Sequence, residues 1–111
     1  MRIHVTSRHF KAHDTLVEYA EVEAAKLERY YDGITTCEVI LKFEKPRKSD
    51  KIAEAIVSVY RTKLTGIAQS DDFFKSIDGA IAKVLVQVKK YKAKLRFKDR
   101  KAVRQVREKT N

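Results

Sequence analysis

The chain has 111 residues, 43% of them hydrophobic and 36% charged, which is enough for one domain with a modest core and too apolar for wholesale disorder. Its 25 basic and 15 acidic side chains leave a net charge of +10, so the expected partner is a polyanion, either nucleic acid or an anionic membrane surface. A single cysteine, Cys37, excludes an intramolecular disulfide and a cysteine-based metal site; with no signal-peptide pattern and no run of about 18 apolar residues, the expected setting is cytoplasmic.

In chain order, residues 2 to 7 alternate Ile3 and Val5 with His4 and Thr6, the period-two pattern of a half-buried strand. From Asp14 to Tyr31 there is neither Gly nor Pro, and Leu16, Ala20, Ala24, Leu27 and Tyr31 recur at steps of three and four. That spacing predicts an amphipathic helix, capped by His13 or Asp14 and closed by Gly33 in the left-handed conformation. Cys37, Val39, Leu41 and Phe43 then alternate as a second strand, and Pro46 to Asp50 form a turn. A third strand is expected from Ala53 to Arg61, with Ala55, Val57 and Val59 on one face. Residues 61 to 63 make a hairpin connection to a fourth strand, Leu64 to Gln69, in which Gly66 signals a bulge or a close backbone approach.

Asp71 and Asp72 open the last element, where Phe74, Ile77, Ile81, Val84, Val88, Tyr91 and Leu95 recur at steps of three and four. From Asp72 to Lys98 this helix is about 40 Å long, longer than the body is wide, so its end overhangs or lies along the sheet edge. The order β-α-β-β-β-α predicts an α+β fold: a four-stranded, mostly antiparallel sheet with two helices packed on one face. Residues 1 to 98 form the domain and 99 to 111 a basic tail.

The charge is unevenly spread. Residues 1 to 82 are neutral, whereas 83 to 111 carry 12 basic residues against Asp99 and Glu108. A helix end needs three or four cations to complement its dipole, and this excess goes beyond that. On the helix the cations border the apolar seam on both sides, Lys83, Lys90, Lys94 and Lys98 along one and Lys89, Lys92 and Arg96 along the other. Two such rails suit phosphates on either side of a groove. An exposed Tyr91 or Phe97 among them would stack on a base, although Tyr91 keeps the register of the seam and is read as core. The seam itself is needed to cover the sheet, which favours RNA over lipid.

Other chemistry finds little support. His4, His9 and His13 fall on a strand, a loop and a helix boundary, without metal-ligand spacing. Cys37 alternates with core residues, as a small buried hydrophobe does. Asp71 and Asp72 suit a helix start. Neither a P-loop nor a GxGxxG is present, so no catalytic residue, metal, cofactor or small-molecule substrate is expected.

Three segments carry a resemblance: residues 26 to 32 (KLERYYD), residues 39 to 45 (VILKFEK), and residues 72 to 79 (DFFKSIDG) continuing through Lys83, residues 87 to 92 (QVKKYK), Lys94 and Leu95. Together they resemble the ribosome hibernation promoting factors and ribosome-associated translation inhibitors, in their short form, a family also known by the name sigma-54 modulation protein. The resemblance implies a β-α-β-β-β-α domain. It implies binding to the small ribosomal subunit in the channel between the subunits, across the tRNA and mRNA sites, which silences idle ribosomes in stress and stationary phase without catalysis. Ribosomal RNA would be held by Lys83, Lys90, Lys92 and Lys94, with Lys26 and Lys42 extending the set. Val86 stands where many relatives carry a basic residue, and His13 where a threonine often caps the first helix. The domain by which long members pair ribosomes is not seen, and residues 96 to 111 match nothing specific. A different reading of the same basic α+β pattern is a free-standing double-stranded RNA-binding module.

Overall fold

The computed structural model describes residues 1–44 and 50–110, with side chains to residue 96; of the turn expected at Pro46 to Asp50, residues 46–49 lie outside the described residues. Four strands, β1 (Arg2–Arg8), β2 (Thr36–Phe43), β3 (Lys51–Val59) and β4 (Thr62–Ser70), form one sheet in the order β1-β2-β3-β4. β1 is parallel to β2, and the other two pairings are antiparallel. α1 (Asp14–Ala25) connects β1 to β2, and α2 (Phe73–Thr110) follows β4.

Alternation decides the faces. Ile3 pairs with Cys37 and Cys37 with Val57, while Val5 pairs with Val39 and Val39 with Ala55, so one register places successive rows of small and β-branched side chains on the helix-covered face. Cys37, Val39, Leu41, Ala53, Ala55 and Val57 are all fully enclosed there. Leu16, Ala20 and Ala24 cover this layer from α1, Leu27 from the turn that follows it, and Ile77, Ala80, Ile81, Val84 and Val88 from α2. The opposite face is open and mixed; Glu38, Lys42 and Glu54 lie on it, with Ile40 and Ile52 shielded among their neighbours.

α1 ends earlier than its periodicity predicts. After Ala25 the chain tightens into a 3₁₀ turn, Lys26–Arg29, where the Tyr30 amide donates to the Leu27 carbonyl at 3.0 Å. Tightening of this kind engages carbonyls left over at a helix end. No glycine has positive φ, so Gly33 is not the left-handed terminator that the sequence suggested. His13 takes the N-cap position without a side-chain cap bond.

The start of α2 also differs. Asp72 is the cap, its Oδ1 accepting the Phe74 amide at 2.9 Å, and Phe73 rather than Phe74 enters the core. Phe73 stacks on Phe10 and meets Phe43 edge-on, whereas Phe74 packs against Tyr19 of α1. Beside this pair the Tyr19 hydroxyl donates to Asp78 at 2.5 Å, joining α1 to α2. That hydrogen bond, aided by burial and by neighbouring acidic charge, pushes the phenol up to about 12. At 38 residues α2 is about 57 Å long, and the molecule measures 66 × 24 × 19 Å.

Gly66 sets how closely α2 approaches the sheet. A Cβ placed on it would lie 2.5 Å from the Ala80 carbonyl oxygen and 2.8 Å from the Val84 nitrogen, and one placed on Gly79 would lie 2.8 Å from the Ala68 Cβ. Backbone atoms cannot swing aside as a flexible side chain can, so the Gly66→Ala change must push α2 off β4. We expect a loss of about 1–3 kcal/mol in urea denaturation. Burial pushes the Cys37 thiol up to about 11, leaving it protonated near neutrality. It should stay inert to a thiol-specific disulfide reagent at pH 8 in the native protein and react on unfolding.

Candidate nucleic-acid interface

The described cations of α2 from Lys83 to Arg96 fall on two sides of the helix, and each side meets a different part of the body. Toward β4, the Lys83 ammonium donates to the Ile67 carbonyl at 2.7 Å, and the Gln87 side-chain amide donates to the Thr65 carbonyl. These carbonyls belong to an edge strand, where unpaired backbone acceptors need partners or water. The line through Lys83 and Gln87 continues at helical spacing to Lys90 and Lys94, both exposed and without an ion-pair partner among the described residues. Lys98 extends it further, with its side chain outside the described residues.

On the other side, the Lys92 ammonium donates to the Tyr30 carbonyl at 2.9 Å, and the Lys89 ammonium sits over the Tyr30 ring, 5.1 Å from its centroid. Arg96 and Lys92 line an open groove with Leu95, Glu28, Arg29, Tyr30, Tyr31 and Asp32. The two rails expected from spacing are therefore present around a packed seam, and Lys83, Lys89 and Lys92 each also contact the body.

Two of the expected cations stand apart from α2. Lys26, in the 3₁₀ turn, pairs with Glu23 at 2.8 Å. Lys42 lies on the open face of the sheet beside Glu54, at 3.8 Å, and points away from both helices. Tyr91 is half-buried, as the seam predicts: its ring meets Tyr31 edge-on, with centroids 5.7 Å apart, and its hydroxyl donates to the Tyr60 carbonyl at 3.1 Å. Phe97 lies outside the described side chains. His4, His9 and His13 are exposed, and among the described residues no group of three His, Cys, Asp or Glu is placed to hold a metal ion. No helix among them is long and apolar enough to cross a membrane.

Sequence reasoning gave no role of their own to Gln87, which bonds α2 to the β4 edge, or to Tyr30, around which Lys89 and Lys92 gather. The available signal for Tyr30 was its place beside Leu27 and Tyr31 at the end of the first periodic segment.

This fold and its basic helix coincide with a family match along most of the chain: residues 3–96 fit the family described as sigma 54 modulation protein / S30EA ribosomal protein. The chain belongs to that family. It is 31% identical over 96 residues to the ribosome hibernation promoting factor of Escherichia coli K12, covering 86% of this chain and 98% of that protein. The protein of the same name from Pseudomonas putida KT2440 is 28% identical over 94 residues, covering 85% and 89%. A ribosomal subunit interface protein from Coxiella burnetii superposes with a TM-score of 0.73 at 28% identity, covering 84% of this chain and 99% of that one. The N-terminal domain of Thermus thermophilus Protein Y gives 0.71 at 26% identity, covering 82% and 99%.

The rails predict a division of labour between neighbouring cations. Replacing Lys83 and Gln87 together by alanine should lower stability by about 1 kcal/mol, through lost bonds to the β4 edge. The Lys90→Ala, Lys94→Ala pair on the same side should stay within about 0.5 kcal/mol of the parent chain. Urea denaturation of both doubles measures the difference.

Proposed function

We propose that this chain is a cytoplasmic ribosome hibernation factor. It acts by binding, without chemistry: α2 lies against small-subunit RNA in the channel between the subunits, across the tRNA and mRNA sites. The observation that carries this reading is the placement of Lys90, Lys94 and Arg96. All three are exposed, none has an ion-pair partner among the described residues, and all project from a helix that Lys83, Gln87, Tyr91 and Lys92 bond to the body. Cations without internal partners keep their charge for an external polyanion, and a helix already packed loses little further entropy when it binds. The names of the relatives, ribosome hibernation promoting factor and ribosomal subunit interface protein, support the same partner.

The two rails have different parts in this reading. Lys90, Lys94 and Lys98 meet phosphates on one side of α2; Lys89, Lys92 and Arg96 meet them on the other. Lys83 exchanges its bond to the Ile67 carbonyl for a phosphate when RNA is present, while Lys26 and Lys42 touch the partner from the body. The basic segment 99–111 extends the same contact along the mRNA path.

Each phosphate released from its counterions adds roughly 0.7–0.9 to the slope of log affinity against log salt. The Lys90→Gln, Lys94→Gln variant should therefore bind isolated small subunits more weakly at low salt and show a slope reduced by about 1.5. Co-sedimentation at a series of salt concentrations measures both, with a generic RNA duplex as the comparison. Unchanged affinity and slope would remove α2 from the contact, and equal binding to the duplex would favour a free-standing duplex-binding module.

A further inference from the structure

The same end of the body carries a second kind of surface, aromatic rather than cationic. The β3–β4 hairpin has a two-residue turn, Tyr60 and Arg61, since Val59 pairs directly with Thr62. Arg61 takes a positive φ of 65°, which closes the turn and leaves the Tyr60 ring outside the sheet, 72% exposed. The Arg61 guanidinium lies 5.2 Å from the centroid of that ring. Tyr30, at the end of the 3₁₀ turn, repeats the arrangement: its ring is 42% exposed and carries the Lys89 ammonium.

Both tyrosines are tied by their own carbonyls to adjacent residues of α2. Tyr91 donates to the Tyr60 carbonyl and Lys92 to the Tyr30 carbonyl. Consecutive helical residues stand 1.5 Å apart along the axis and about 100° apart around it. Tyr30 and Tyr60 are thus pinned at nearly one level of α2, on different sides of it, where the helix leaves the body. Tyr31 and Tyr91, in edge contact between them, form the packed floor.

Building on the RNA-binding reading above, we propose that Tyr30 and Tyr60 are stacking platforms for unpaired RNA bases, one on each side of α2. An exposed aromatic ring has no use in the core, and its planar face accepts any base without reading sequence. A cation held over the ring by its quadrupole stands ready for the phosphate of the stacked nucleotide. Lys92 and Arg96 supply further positive charge beside Tyr30, whereas Glu28 and Asp32 line the outer side of the same groove and direct the phosphates toward α2. Single-stranded RNA fits this chemistry better than duplex, whose bases are already stacked and paired.

The test compares the full chain with its Tyr30→Leu, Tyr60→Leu and Tyr30→Phe, Tyr60→Phe doubles. Each is titrated with an unstructured single-stranded RNA dodecamer, its duplex, and isolated small subunits. Leucine keeps the bulk and loses the ring, and the carbonyl bonds to α2 survive both changes. The leucine double should bind the single strand roughly 100-fold more weakly, about tenfold per tyrosine, with an unaltered salt slope and little change for duplex; the phenylalanine double should match the parent. Parental affinity of the leucine double for the single strand, an equal loss for duplex, or no single-strand binding by the parent overturns the proposal. Tyrosine-dependent single-strand binding without small-subunit binding leaves it standing while removing the ribosomal reading. Intact small-subunit binding with no tyrosine effect does the reverse.

Discussion

The architecture depends on the backbone contact between α2 and β4 at Gly66. A hydrogen at that position, where every other residue has a carbon, lets the helix settle directly onto the strand beside Ala80 and Val84. Ala68 against Gly79 continues the close approach. Dispersion and hydrophobic burial are short-ranged, so a helix held even one methyl group further away would forfeit much of its contact with Val57 and Ala55 below. The side-chain bonds of Lys83 and Gln87 to the β4 edge are reachable because the helix lies so near.

That seating gives the basic residues a defined geometry. A helix bearing an excess of positive charge gains nothing from internal repulsion, and without tertiary contacts its charged turns would fray. Here the first five turns are held by Ile77, Ala80, Ile81, Val84 and Val88, and the next turn by Tyr91 and Lys92. Lys90, Lys94 and Arg96 follow in phase with this seam, so their directions are inherited from the core. The two halves of the sequence's charge balance acquire a physical meaning: a neutral body provides the seat, and α2 carries the field outward along its axis.

Much of this was legible in the alternation and periodicity of the chain. The four strands, both helices, the buried faces of β2 and β3, the close approach at Gly66 and the two cationic rails follow from residue spacing. The errors fall where spacing is ambiguous. Phe73 and Phe74 lie four and three residues before Ile77, and either step fits a helical seam; only the Asp72 cap and the partners Phe10 and Phe43 select Phe73. Gly33 looked like a helix terminator because the 3₁₀ turn at Lys26–Arg29, which ends the helix first, has no signature of its own. Tyr30 and Tyr60 lie 30 residues apart in the chain, and only the folded hairpin brings both to one level of α2.

The most direct test of the central claim, that α2 faces ribosomal RNA, is directed hydroxyl-radical cleavage from a tethered iron chelate. Cys37 is buried, so one new surface cysteine can be labelled alone. Ala93 on α2 and Thr6 on the open face of β1 are both exposed. From the Ala93→Cys variant bound to small subunits, cleavage of ribosomal RNA is predicted on the interface side of the subunit, and weaker or no cleavage from Thr6→Cys. Strong cleavage from Thr6→Cys with none from Ala93→Cys would place the sheet against the RNA and contradict the account.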